Sequence, residues 1–128
     1  MKSPFAPFLE HQPAVILDGG LATALEARGF DLNDELWSAR VLLDDPLAIR
    51  EVHTDFLFAG ADCITSASYQ ASLMGFKKQG YDDSQGVQLI LLSVALAMDA
   101  RNRFWSKVEN RVGRLRPLVA AIPIWPFQ

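Results

Sequence analysis

AVILDGGLATALEARG, residues 14–29, runs from an apolar strand into a helix with only an acid and two glycines between them. Ala14 to Leu17 read as a short buried strand, and Leu21 to Arg28 carry apolar residues at helical spacing, with Gly29 placed to end the helix. In parallel α/β architectures the functional loops follow the C-terminal ends of the strands, and Asp18-Gly19-Gly20 stands at such an end. Glycines there let the backbone approach a ligand or take a positive φ, and the helix start offers free N–H groups to a carboxylate. Asp18 suits a ligand ammonium, so the group as a whole suits an amino-acid zwitterion. The same residues also suit a plain tight turn with Asp18 capping the helix, and spacing alone does not choose. No Gly-Lys-Ser/Thr follows, which excludes a Walker loop, and the third glycine of a dinucleotide fingerprint is missing.

Outward from this stretch, Asp44-Asp45-Pro46 places an acid at a helix cap and Pro at its first turn, predicting a helix to about Ala59. His53 falls on its apolar side, the usual place of a packing histidine whose nitrogens are satisfied. Residues 62–68 read as a second strand, 72–79 as a short helix and 117–122 as a third strand. Residues 1–13 read as an irregular lead-in and 30–38 as a packed loop. Asp82-Asp83-Ser84 caps a long helix to about Trp105, with a buried stripe expected at Val87, Ile90, Leu91, Val94 and Met98. Leu92 and Ala95 lie towards its other face. A helix apolar all round is either buried on all sides or in contact with another chain or a further part of this one. The alternation predicts an α/β fold with parallel strands and helical crossovers.

Composition narrows the function. The chain has 128 residues, half of them hydrophobic, enough for one core. A net charge of −3 gives no footprint for nucleic acid, and Arg111, Arg114 and Arg116 read as a solvated basic turn. The single cysteine, Cys63, excludes an intrachain disulfide and reads as a small core residue. Pro4, Pro7, Glu10 and His11 break any signal peptide, and the apolar run 89–98 is too short to span a bilayer. A cytoplasmic chain with neither membrane nor nucleic-acid partner is expected. A second strand end, Thr65-Ser66-Ala67-Ser68-Tyr69-Gln70, gathers hydroxyls, an aromatic and an amide. It reads as a pocket wall beside Asp18 or as a turn with capped hydroxyls.

Taken together, ILDGGLATALEARGFDLND, LWSARVL, DPLAIREVHTDFLFAGADCITSASYQAS and GF resemble the N-terminal part of a homocysteine S-methyltransferase, in the branch that uses S-methylmethionine. The resemblance runs over residues 14–121. It implies about three βα units of a (β/α)8 TIM barrel, incomplete in this chain, with the site at the C-terminal strand ends. It implies methyl transfer from a sulfonium donor, S-methylmethionine or S-adenosylmethionine, to the homocysteine thiol, giving methionine. By the same resemblance Asp18, Gly19 and Gly20 hold the amino-acid end of homocysteine; Ser66, from the wall read at the second strand end, is expected to bind substrate beside them. Trp37, Tyr69 and Gln70 line the donor side, where an aromatic face suits a sulfonium cation. In the family, zinc held by three cysteine thiolates activates the substrate sulfur.

Two departures set further expectations. The family's zinc cysteines lie in the second half of its barrel, two of them in a Gly-Gly-Cys-Cys motif, and this sequence contains neither. No zinc ligand set and no catalytic residue is therefore expected within this chain, which alone is expected to be inactive. A non-catalytic remnant or interaction module is the alternative. After Ala121 the family continues with Gly-Pro-aromatic-Gly, whereas residues 122–128 read IPIWPFQ, an aberrant tail suggesting a frameshift or early stop. Three strands of eight cannot close a barrel, so association or aggregation through open edges is expected.

Overall fold

The computed structural model describes residues 3–33, 37–70, 77–78 and 80–121, with the backbone alone at 37–39, 69 and 70. Its elements are α1 (Ala6–Leu9), α2 (Leu21–Ala27), α3 (Trp37–Asp44), α4 (Pro46–Phe58), β1 (Cys63–Thr65), α5 (Asp83–Ser106) and β2 (Leu118–Ala120). Single 3-10 turns follow β1 (Ala67–Gln70) and α5 (Val108–Arg111).

Local chemistry fixes the helix ends. The Asp45 side chain accepts from Ala48 N–H at 3.3 Å, with Pro46 in the first turn of α4. At α5 the Asp82 carboxylate accepts from Gln85 N–H at 2.8 Å. The Gln85 side chain in turn accepts from Asp82 N–H at 2.9 Å, a reciprocal capping box. Gly60, at φ +112°, turns the chain from α4 into β1, a backbone region that side chains disfavour.

β1 and β2 pair in parallel, with Ile64 opposite Val119, and a single parallel bridge joins Leu17 to Cys63. β1 therefore lies in the middle, and the strand segments follow one another across the sheet in chain order. Ile64 points into the helix layer, among Leu57, Ala61, Ala97, Ala100 and Phe104. A second cluster joins α2, α3, α4 and α5 through Leu25, Leu42, Ile49, Val52, Leu89 and Leu96. Each fully buried Leu or Ile contributes about 1.5–3 kcal/mol. Among the described residues, no helix is long and apolar enough to cross a membrane.

Several expectations need correction. The strand expected at 14–17 is one bridge long, and Ile16 and Leu17 are 54% and 62% exposed, because only β1 flanks them among the described residues. The lead-in contains α1, anchored by buried Phe8. The loop expected over 30–38 gives way at Trp37 to α3, whose Val41 and Leu42 enter the core. The helix expected at 72–79 falls largely outside the described residues, and the tail 122–128 entirely so.

The stripe expected on α5 is misplaced. Its packing face is Gly86, Leu89, Ser93, Leu96, Ala97, Ala100 and Phe104, while Val87, Leu91 and Met98 are exposed. Small residues let α5 approach α4 and β1 closely, which a search for bulky apolar side chains does not find. The basic cluster is no free turn either. Arg114 donates to Leu57 O and Ala61 O, both at 2.8 Å, and lies over the Phe104 ring. Arg111 donates to Trp105 O at 2.7 Å and Arg116 to Asn102 Oδ1 at 3.1 Å.

Candidate functional site

The two strand ends singled out in the sequence meet. Asp18 N–H donates to Cys63 O at 3.0 Å, which extends the bridge and aims the Asp18 side chain along the end of β1. There Oδ2 accepts from Thr65 N–H at 2.8 Å and Oδ1 from Thr65 Oγ1 at 3.2 Å. Both carboxylate oxygens are thus held, each keeping acceptor capacity towards the open side. Burial pushes the Asp18 pKa up, and the Thr65 bonds oppose that shift by favouring the charged form. Asp18 does not cap α2, whose N-cap is Gly20 and receives no side-chain bond.

The glycines behave differently from one another and from expectation. Neither takes a positive φ. A Cβ on Gly19 would sit 2.9 Å from Phe56 Cε1 and 3.2 Å from Cζ, so the close approach needed here is to that ring. Gly20 is looser, with Thr23 Oγ1 at 3.3 Å from the same construction.

Ser66 N–H donates to Ala120 O at 2.9 Å, tying the ends of β1 and β2 together. Its hydroxyl is fully buried and shares a 2.5 Å hydrogen bond with Ser68 Oγ. The backbones of Tyr69 and Gln70 continue the 3-10 turn from this strand end, and Trp37 begins α3. The side chains of Trp37, Tyr69 and Gln70 lie outside what the structure describes. Thr65 belongs to the expected wall, but its pairing with the Asp18 carboxylate was not expected. The signal was an acid closing one strand and a hydroxyl closing the next, a pair whose meeting depends on parallel register.

Below the site, Asp62 anchors the N-terminal side of the strands. Its Oδ2 accepts from Ile16 N–H at 2.9 Å and from Gln12 Nε2 at 2.6 Å, its N–H donates to Ile16 O, and its carbonyl accepts from Leu118 N–H. Asp62 thus positions all three strand segments. A cleft of about 400 Å³ between α4 and α5, lined by Arg28, Glu51, Asp55, Arg103 and Lys107 among others, belongs to the helical surface, not to the strand ends.

Zinc of the kind the resemblance implies does not fit the residues present. Among the described residues no three of His, Cys, Asp or Glu come together in a metal-binding group. Cys63 is buried, and burial followed by the Asp18 charge raises its thiol pKa, the opposite of what a thiolate ligand needs. By the period of two along a strand it shares a face with Thr65, away from the helix-facing Ile64, so its burial is not in the helix-side core.

Comparison with known proteins gives a consistent answer. The family model described as Homocysteine S-methyltransferase matches residues 15–123. The chain is 46% identical over 119 residues to homocysteine S-methyltransferase YbgG of Bacillus subtilis (strain 168), covering 93% of this chain and 38% of that protein. It is 45% identical over 116 residues to a selenocysteine Se-methyltransferase of Brassica oleracea var. italica, covering 88% of this chain and 34% of that one. The crystal structure of the homocysteine methyltransferase MmuM from Escherichia coli, in its metallated form, superposes with a TM-score of 0.83 at 47% identity. That match covers 92% of this chain and 40% of MmuM. The chain thus spans under two fifths of the curated relatives it matches. With the family model spanning both the Asp18–Thr65 clamp and β2, this chain belongs to the homocysteine S-methyltransferase family.

Proposed function

We propose that this chain forms the substrate amino-acid site of a (β/α)8 methyltransferase acting on homocysteine. The observation that carries the reading is the Asp18 carboxylate, fixed at the parallel strand ends by both donors of Thr65, in a chain of this family. A held carboxylate with open lone pairs suits the substrate ammonium without reorganising when it binds. Gly19 and Gly20, together with the backbone entering α2, face the substrate carboxylate. Trp37, Tyr69 and Gln70 line the donor side, against the sulfonium of S-methylmethionine or S-adenosylmethionine. Ser66 acts through its backbone tie to β2, which keeps the wall in place. In the overall transfer the thiol loses its proton, sulfur gains the methyl, and the donor C–S⁺ bond breaks to release a neutral thioether. The product is methionine. The cytoplasm suits the lone thiol.

The one cysteine of this sequence cannot make a three-thiolate zinc site. We therefore propose that the 128-residue chain binds substrate but does not turn over. Incubating it with zinc, homocysteine and S-methylmethionine is expected to yield no methionine, and product would overturn this point. The binding reading is tested by titrating the chain with L-homocysteine and following backbone amide resonances. The signals of Gly19, Gly20 and Leu21 are expected to shift, and Asp18→Asn is expected to weaken binding at least tenfold. Equal affinity in the variant would remove Asp18 from the site.

A further inference from the structure

The cleft between α4 and α5 carries charges that do not balance. On its α2 side Arg28 Nη1 donates to Glu51 at 2.7 Å and Nη2 to Asp55, so one cation meets two carboxylates. The α5 side is the reverse. Asp99 Oδ2 accepts from Arg50 Nη1 at 3.1 Å and from Arg103 Nε at 2.9 Å, so two guanidiniums share one carboxylate oxygen. Lys107 lines the cleft one turn beyond Arg103, and its ammonium has no partner among the described residues. Three cations therefore face a single carboxylate there, in a chain whose net charge is −3. Each keeps N–H donors without an acceptor among the described residues. The Phe58 ring, 61% exposed, lines the same cleft and packs edge-on against buried Phe104, with centroids 5.1 Å apart.

We propose that this cleft binds a small-molecule phosphate monoester that carries a planar ring, of the nucleoside monophosphate type. The phosphate sits among Arg50, Arg103 and Lys107, and the ring lies against Phe58. A phosphate monoester carries about −1.5 to −2 charge at pH 7, which matches the positive excess on the α5 side. Guanidinium forks and an ammonium are the donors that phosphate oxygens take best, and such charge-assisted bonds are the strong ones. Asp99 already holds both guanidiniums together, so less freedom is lost when the anion binds. Glu51 and Asp55 limit what fits. Both are exposed, and their oxygens accept from hydroxyls but repel a second anionic group. A sugar is therefore accommodated, whereas a pyrophosphate chain or an acidic peptide is disfavoured. A volume of about 400 Å³ holds one such molecule.

The test is titration of the full chain with adenosine 5′-monophosphate, inorganic phosphate and adenosine, each followed by backbone amide resonances. The monophosphate is expected to shift Phe58, Arg103 and Lys107, and to bind about tenfold tighter than either of its parts. Lys107→Gln removes a side chain without partners and is expected to weaken the monophosphate about fivefold. Arg116→Gln makes the same change in net charge outside the cleft, at Asn102, and is expected to leave the affinity unchanged. Phe58→Ala is expected to abolish the preference for the monophosphate over inorganic phosphate while inorganic phosphate binds as in the wild type. If Phe58→Ala alters the circular dichroism, Phe58→Leu, which keeps an apolar contact with Phe104, decides instead. Absence of shifts at the three residues would overturn the proposal. So would equal weakening by Lys107→Gln and Arg116→Gln, or a monophosphate that binds no better than inorganic phosphate. Homocysteine is absent from every titration, so the outcome is independent of the function proposed for the strand ends.

Discussion

His53 is 1% exposed on the inner face of α4, and neither ring nitrogen has a hydrogen-bond partner among the described residues. The helical spacing predicts the burial correctly. Satisfaction of the nitrogens, which depends on neighbours remote in sequence, does not follow from it. Burial pushes its pKa down from 6.5 to about 4. The folded chain therefore refuses a proton that the unfolded chain accepts. His53 costs no stability from this source above pH 6.5, and stability falls as the pH drops from 6.5 towards 4. The full loss is about 3 kcal/mol. Urea denaturation of the wild type from pH 7.5 to 4.5 is expected to show that slope, and His53→Leu to flatten it without losing stability at pH 7.5. A variant as acid-sensitive as the wild type would place the slope elsewhere. Gly19 offers a second residue-scale test. Gly19→Ala drives a methyl into the Phe56 ring, which is wedged between both core clusters. The expected cost is about 1–3 kcal/mol, and Phe56→Leu in the same chain is expected to recover part of it.

At the scale of elements, one side chain closes the joint between α4 and β1. Arg114 reaches back to the carbonyls of Leu57 and Ala61 where α4 ends, adding a second donor to Leu57 O, which also accepts from Gly60 N–H at 3.1 Å. Arg114→Ala is expected to cost about 1.5–3 kcal/mol by thermal denaturation. Arg114→Lys is expected to recover little, since a single ammonium does not present the guanidinium's fork to two carbonyls. The elements that were legible in sequence carry their chemistry locally: Asp45-Pro46 and Asp82 announce α4 and α5 by caps within one turn of the chain. Those that were not depend on distant partners. α3 begins inside a polar stretch and is held by Val41 and Leu42 against α4 and α5. The face of α5 was misread because bulk was taken as the mark of burial. Gly86, Ser93, Ala97 and Ala100 are inside because they are small. At the site, Asp18 was legible as an acid at a strand end, but its partner Thr65 emerged only once register was known.

For the whole molecule, the sheet is asymmetric, and exchange of its amide protons reports that directly. β1 is flanked on both sides. Cys63 N–H donates to Ile16 O, Thr65 N–H to the Asp18 carboxylate and Ser66 N–H to Ala120 O, so donors point to both neighbours and all are engaged. Among the described residues β2 has one neighbour. Leu118 N–H donates to Asp62 O, and by the alternation of a parallel ladder the Val119 N–H points the other way, to the open edge. In the chain by itself, Cys63, Thr65 and Ser66 are expected to exchange slowest in the sheet, near the global unfolding limit, and Val119 orders of magnitude faster. Both kinds of amide sit in short strands of similar composition, so neither propensity nor local sequence produces the contrast. Only the edge left open among the described residues does. Equal protection at Val119 and Ile64 in a dilute monomer would mean that another part of the chain already covers the edge.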